Sequence, residues 1–219
     1  MEAGAATTAL AYPAGTPPVG AALILGHGAG AGQRSTFMVD FALAISALGV
    51  DVITFNFLYS EQHRRIPDRG PVLEACYRSV MATVRATVDS ASRALFIGGK
   101  SMGGRIATQV AAADHGLPIA GVLLLGYPLH PPGRPTERRD KHLPAVGRPM
   151  LFVQGTRDAF GTPAELSPVL DAIGPSASIH VVSGGDHSLK LARKDPAAQA
   201  AVYDDVQRTL VEWMRTISA

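Results

Sequence analysis

The feature that most constrains this chain is the alternation, almost from end to end, of short apolar runs with longer helix-like stretches. Apolar runs fall at 21–25, 50–57, 94–97, 119–125, 150–153 and 178–182, and helix-like stretches at 35–48, 71–88, 102–113, 163–172 and 197–216. Most of the apolar runs are continuous, as in Ala21-Ala22-Leu23-Ile24-Leu25. A strand reads this way when both its faces are covered, as in a parallel sheet between two helix layers. Strand–helix–strand order with right-handed crossovers therefore predicts an α/β fold: a three-layer αβα sandwich with a mostly parallel sheet of about six to seven strands. Residues 1–20, with Pro13, Pro17 and Pro18, read as an extended lead-in holding at most one edge strand. Residues 21–219 read as a single domain without repeats.

Composition narrows the function classes. Hydrophobic residues make up 47% and charged residues 17%, enough to fill a core and too apolar for a disordered chain. Twenty Lys and Arg against 18 Asp and Glu leave a net charge of +2, so no strong field selects nucleic acid or an anionic membrane. A single cysteine, Cys76, excludes an intrachain disulfide and a cysteine-based zinc site. No apolar run approaches the roughly 20 residues of a membrane span, and Met1-Glu2-Ala3-Gly4 lacks the positive region of a secretory signal. A soluble, cytoplasmic protein is expected; its oligomeric state is left open.

Two glycine-rich segments follow predicted strands, at the edge where open α/β sheets place ligands. The second, Gly98-Gly99-Lys100-Ser101-Met102-Gly103-Gly104, contains Gly99-x-Ser101-x-Gly103 between a buried strand and a helix. That is the spacing of a nucleophile elbow: a serine projecting from a very sharp turn needs near-absent side chains two residues before and after it. The helix that follows would aim free N–H groups, Met102's among them, at a developing oxyanion. The same residues fit a relaxed phosphate loop ending in Gly99-Lys100-Ser101. However, Leu95, Phe96 and Ile97 occupy positions that such a loop needs free of strand structure. The first segment, Gly26-His27-Gly28-Ala29-Gly30-Ala31-Gly32, matches a dinucleotide fingerprint with alanine in its third position. The acid that fingerprint requires at the end of the next strand is missing, since Asp51 stands at the start. The segment fits instead the first half of an oxyanion hole, in which a tight glycine loop presents backbone N–H donors, with a glycine-rich turn that holds no ligand as the plain alternative.

A nucleophilic serine needs a base and a carboxylate to orient it, in the chain order Ser, Asp or Glu, His. Among the later histidines, His187 lies in the glycine-rich loop Ser183-Gly184-Gly185-Asp186-His187-Ser188 after the last predicted strand. Asp158 follows the strand at 150–153, on the same sheet edge, whereas Asp186 adjoins His187 too closely to face it. Ser101, Asp158 and His187 are thus the candidate catalytic residues.

These residues resemble the alpha/beta-hydrolase superfamily over roughly residues 20 to 217. The runs Gly98–Arg105, Gly126-Tyr127-Pro128-Leu129-His130-Pro131-Pro132-Gly133 and Gly184-Gly185-Asp186-His187-Ser188-Leu189 look like a compact, nearly cap-less branch related to dienelactone hydrolases. That branch includes testis-expressed hydrolase-like homologues. The resemblance implies a Ser101–His187–Asp158 triad with an oxyanion hole near Ala29 and Met102. It differs from dienelactone hydrolases proper in carrying serine in place of cysteine.

Around the site, His27, Tyr59, Lys100 and Tyr127 are candidate pocket residues. Lys100 is placed to hold a substrate carboxylate, although a side chain that reaches solvent or pairs with an acid is the favoured expectation, and Arg105 is expected to brace the elbow through a carboxylate. The segment 134–142 carries four Lys or Arg against two acids and reads as a solvated face able to steer an anionic substrate. The expected function is hydrolysis of a small-molecule carboxylic ester or thioester, needing no metal or cofactor. The alternatives are a non-catalytic hydrolase-fold scaffold and, less favoured, a nucleotide-binding protein. The short connection at 127–149 predicts an open site for small or exposed acyl groups.

Overall fold

Seven strands and seven α-helices alternate along residues 6–218, which the computed structural model describes; the first five residues of the expected lead-in, and residue 219, lie outside them. The lead-in supplies one edge strand, β1 (Ala9–Tyr12), antiparallel to β3 (Asp51–Phe55). The others, β2 (Ala22–Gly26), β4 (Leu95–Lys100), β5 (Gly121–Leu125), β6 (Met150–Gly155) and β7 (Ala177–Val182), run parallel to β3 in the order β1-β3-β2-β4-β5-β6-β7. Chain order reverses direction at β2 and β4, which places their carboxyl ends at a switch point.

Continuous apolarity in the strands has the expected cause, because both faces are covered. Leu23 and Leu25 pack with Phe41 of α1 (Thr36–Ala47) and Leu210 of α7 (Pro196–Ser218), while Ala22 and Ile24 turn to the opposite layer. That layer holds α3 (Gly70–Thr87), α5 (Met102–Ala112) and α6 (Pro163–Ile173). Helix α5 buries Met102, Ile106, Ala107, Val110 and Ala111, a stripe of three- and four-residue steps. Helix α6 starts with a capping box in which Thr162 and Glu165 satisfy each other's backbone N–H, with Pro163 as its first residue.

Several boundaries shift from the sequence expectation, and two of them bear on the site. Strand β3 ends at Phe55, because Asn56 turns its side chain to accept the Gln33 N–H at 2.8 Å, and the one-turn α2 (Leu58–Glu61) follows. Strand β4 runs on through Gly98, Gly99 and Lys100, which the sequence suggests as loop. Ladder partners on both sides, Gly26 opposite Gly99 and Leu125 opposite Lys100, override the weak strand preference of glycine. The short helix α4 (Ser90–Arg93) and a 3₁₀ turn (Leu143–Ala145) complete the elements. No cap domain interrupts the β5–β6 connection, and no helix among the described residues is long and apolar enough to cross a membrane.

Candidate active site

Ser101 sits between β4 and α5 with φ 50° and ψ −113°, a conformation a non-glycine residue adopts only at a cost of about 1–3 kcal/mol. The neighbouring chain enforces it. A Cβ on Gly99 would stand 2.3 Å from the Gly26 carbonyl oxygen, and one on Gly103 would stand 2.1 Å from it. Only two glycines let the turn press this closely against the end of β2, and the Ser101 N–H is anchored to the Leu125 carbonyl at 3.0 Å.

The candidate base and its carboxylate partner arrive from loops far along the chain. His187 Nε2 lies 2.8 Å from Ser101 Oγ, and His187 Nδ1 lies 2.8 Å and 3.0 Å from the two carboxylate oxygens of Asp158. A carboxylate only accepts, so Nδ1 carries the proton and Nε2 is left to accept from the serine hydroxyl. Asp158 is buried, and it also accepts from the Phe160 N–H and the Gln154 side-chain amide, each at 2.8 Å. The imidazole stacks on the Phe160 ring, with centroids 4.1 Å apart. Asp186 serves its own loop instead, accepting the N–H groups of Ser188 and Lys190.

A sequence model of the alpha/beta hydrolase domain matches residues 19–215. The chain belongs to the alpha/beta-hydrolase family. Solved structures agree at the level of fold. A serine hydrolase homologue from Coxiella burnetii superposes with a TM-score of 0.72 at 16% identity, over 94% of this chain and 90% of that one. A serine hydrolase without lid from Xanthomonas campestris gives 0.68 at 20%, over 93% and 89%. A dienelactone hydrolase from Anabaena variabilis gives 0.70 at 17%, over 94% and 91%. At these identities the likeness is one of fold, shared along nearly the whole of each chain.

A cavity of about 610 Å³ opens above Ser101 and His187. Ala29, Met102 and Lys100 line it, while Phe37, Met38 and Leu73 supply apolar wall. Met102 is the first residue of α5, where a backbone N–H has no intrahelical partner. Three residues expected at the pocket instead lie behind its wall. His27 is fully buried, donating from Nδ1 to the Gly28 carbonyl at 2.8 Å and accepting the Phe57 N–H on Nε2 at 3.1 Å. Burial lowers its pKa, so it stays neutral and braces the first glycine loop from beneath. Tyr59 is buried against His27, its hydroxyl near Gly30 without forming a hydrogen bond. Tyr127 is buried and donates its hydroxyl to the Arg139 carbonyl at 2.6 Å.

Lys100 also departs from expectation. It neither reaches solvent nor pairs with an acid: it is 8% exposed, and its Nζ donates to the His187 carbonyl at 2.6 Å. Burial pulls its pKa down to about 8, against the pull of Asp158 and Asp186. Arg105 faces the cavity, and it makes no ion pair with a carboxylate among the described residues. Gln154 escaped the sequence reading. Its buried amide accepts the Tyr127 N–H and donates to Asp158 and to the Gly161 carbonyl at 2.6 Å. A glutamine ending a strand carries no signal of that work. Phe160, two residues after Asp158, was equally silent.

Proposed function

We propose that this protein is a serine hydrolase that cleaves a small-molecule carboxylic ester or thioester through a Ser101–His187–Asp158 triad. The observation that carries the reading is the unbroken hydrogen-bond relay from Asp158 through His187 to a strained serine at a glycine elbow. His187 Nε2 takes the hydroxyl proton as Ser101 Oγ attacks the carbonyl carbon, and Asp158 stabilises the imidazolium that forms. The N–H groups of Met102 and Ala29 hold the oxyanion. Collapse breaks the bond to the leaving alcohol or thiol, which receives the proton from His187. Water, deprotonated by the same imidazole, then releases the acyl group. The cycle balances with water alone as co-reactant.

The protein is placed in the cytoplasm, where its single cysteine, Cys76, stays reduced; neither nucleic acid nor membrane is a proposed partner. The competing assignment, a hydrolase-fold scaffold without chemistry, has no use for a strained serine aligned with a base. The nucleotide-binding alternative loses its loop, because Leu95–Lys100 is strand.

The deciding experiment is intact-mass analysis of wild type and Ser101→Ala after incubation with a fluorophosphonate probe. One adduct on wild type, absent from the variant, is expected. A folded wild type that takes up no probe would overturn the assignment in favour of the scaffold.

A further inference from the structure

Two guanidinium groups face the Ser101 cavity, and Asp68, the carboxylate that lines it with them, is already held by Arg64 and the Tyr59 N–H. Arg105 stands one helical turn beyond Ser101 on α5, and Arg139 enters from the β5–β6 connection; both line the cavity. Neither side chain makes a hydrogen bond or an ion pair among the described residues. The acids nearby are engaged elsewhere: Asp68 with Arg64 at 2.6 Å, Glu137 with Arg134 at 3.1 Å, and Asp140 with Arg138. Asp158 is committed to His187, and Glu74 approaches Arg105 only at longer range. The basic segment is therefore not uniformly a solvated face. Arg134 and Arg138 are neutralised on the outside, while Arg139 turns inward.

A partly buried cation beside a second cation is held at a cost unless an anion joins them. Burial and the neighbouring Arg139 both weaken Arg105's hold on its proton, in keeping with a charge short of partners. The planar fork of a guanidinium matches a carboxylate in size and donor geometry. Lys100 also lines the cavity but is the less available cation, since it is 8% exposed and its Nζ donates to the His187 carbonyl. Arg105 and Ser101 line one cavity, so an anion held by Arg105 shares that cavity with the scissile bond.

We infer that Arg105 and Arg139 form a carboxylate-binding subsite beside Ser101, so that the substrate is an ester or thioester bearing a free carboxylate a short chain away from the bond that breaks. This rests on the hydrolase assignment above for its chemistry. The subsite itself rests only on the two unpaired guanidinium groups. The apolar wall of Phe37, Met38 and Leu73 accommodates the intervening carbons.

The carboxylate can belong to the acyl part or to the alcohol part, and two matched substrate pairs separate these. One is the 4-methylumbelliferyl ester of hexanedioic acid, with its far end free or methylated. The other is the butyrate ester of 4-hydroxybenzoic acid, with its carboxyl free or methylated. In at least one pair the free acid is expected to exceed its methyl ester in kcat/KM by about tenfold or more, chiefly through KM. In Arg139→Gln that ratio falls towards one, and Arg139→Lys restores part of it. A melting temperature close to wild type establishes that the variants are folded. A ratio near one in both wild-type pairs, or a ratio that survives both Arg139→Gln and Arg105→Gln, overturns the subsite. Failure of the hydrolase assignment reads differently, as no cleavage of any of the four esters. The subsite is then tested by calorimetric titration of hexanedioate into Ser101→Ala. Binding that is lost on adding Arg139→Gln supports it, and absence of binding overturns it.

Discussion

Lys100, one residue before the candidate nucleophile, shows how much of this site depends on side chains that do no chemistry themselves. Its ammonium holds the His187 carbonyl, tying the histidine loop to the end of β4. Replacing it by methionine keeps the bulk and removes the donor. Lys100→Met is expected to lower kcat by about tenfold or more with a smaller effect on KM, consistent with loss of a charged hydrogen bond. The pH dependence separates this positioning role from simple packing. Folded Lys100 loses its proton near pH 8, whereas the unfolded residue keeps it to 10.5. Between those values the unfolded chain binds more protons, so the free energy of unfolding gains a component that rises with pH. Denaturant melts at about pH 7.5 and 9.5 are expected to show this rise in wild type and not in Lys100→Met. An equal slope in both proteins would contradict the burial of the ammonium. The positions of Ser101, Asp158 and His187 at one sheet edge were legible in the sequence because chain order and strand ends restrict where such residues can meet. Lys100 and Arg139 were not, because their surroundings come from segments far along the chain: the lysine's partner lies 87 positions away.

Among the elements, the β4–α5 turn carries the tightest constraint. It is pressed on the end of β2, with Gly103 facing backbone rather than a yielding side chain. Gly103→Ala is expected to cost about 3 kcal/mol or more, a drop in Tm of roughly 6–12 °C for a chain of this size. Probe uptake at Ser101 should fall with it, since the turn must open to admit the methyl group. Gly30→Ala is the contrasting case. A Cβ there meets nothing within 4 Å, although φ of +71° still imposes a strain of about 1 kcal/mol. Thermal melts of the two variants check the ranking, and equal losses would contradict the close-approach argument. The sequence pointed to the elbow through its Gly-x-Ser-x-Gly spacing, yet placed the end of β4 too early. Glycine weakens a strand by propensity; the ladders from β2 and β5 on either side decide the matter.

At the scale of the whole molecule, the absence of an inserted cap between β5 and β6 leaves the Ser101 cavity open at the sheet's carboxyl edge. Acetyl and butyryl esters are accordingly expected to be better substrates than long-chain ones in kcat/KM, as an ester panel measures. A clear preference for chains of about twelve carbons or more would contradict an open site. The fold class was determined by the sequence itself, because continuous apolar strands separated by amphipathic helices admit few arrangements besides a doubly covered parallel sheet. So was the set of residues from which the candidate site is drawn, since glycine spacing, residue type and position after strands are local properties. What only the tertiary structure decided is which side chains meet. His27, Tyr59 and Tyr127 follow strands as pocket residues would, yet lie behind the wall. Arg139, one cation among several in a polar segment, turns towards the serine. Orientation of that kind is set by packing against residues remote in sequence, and no local pattern encodes it.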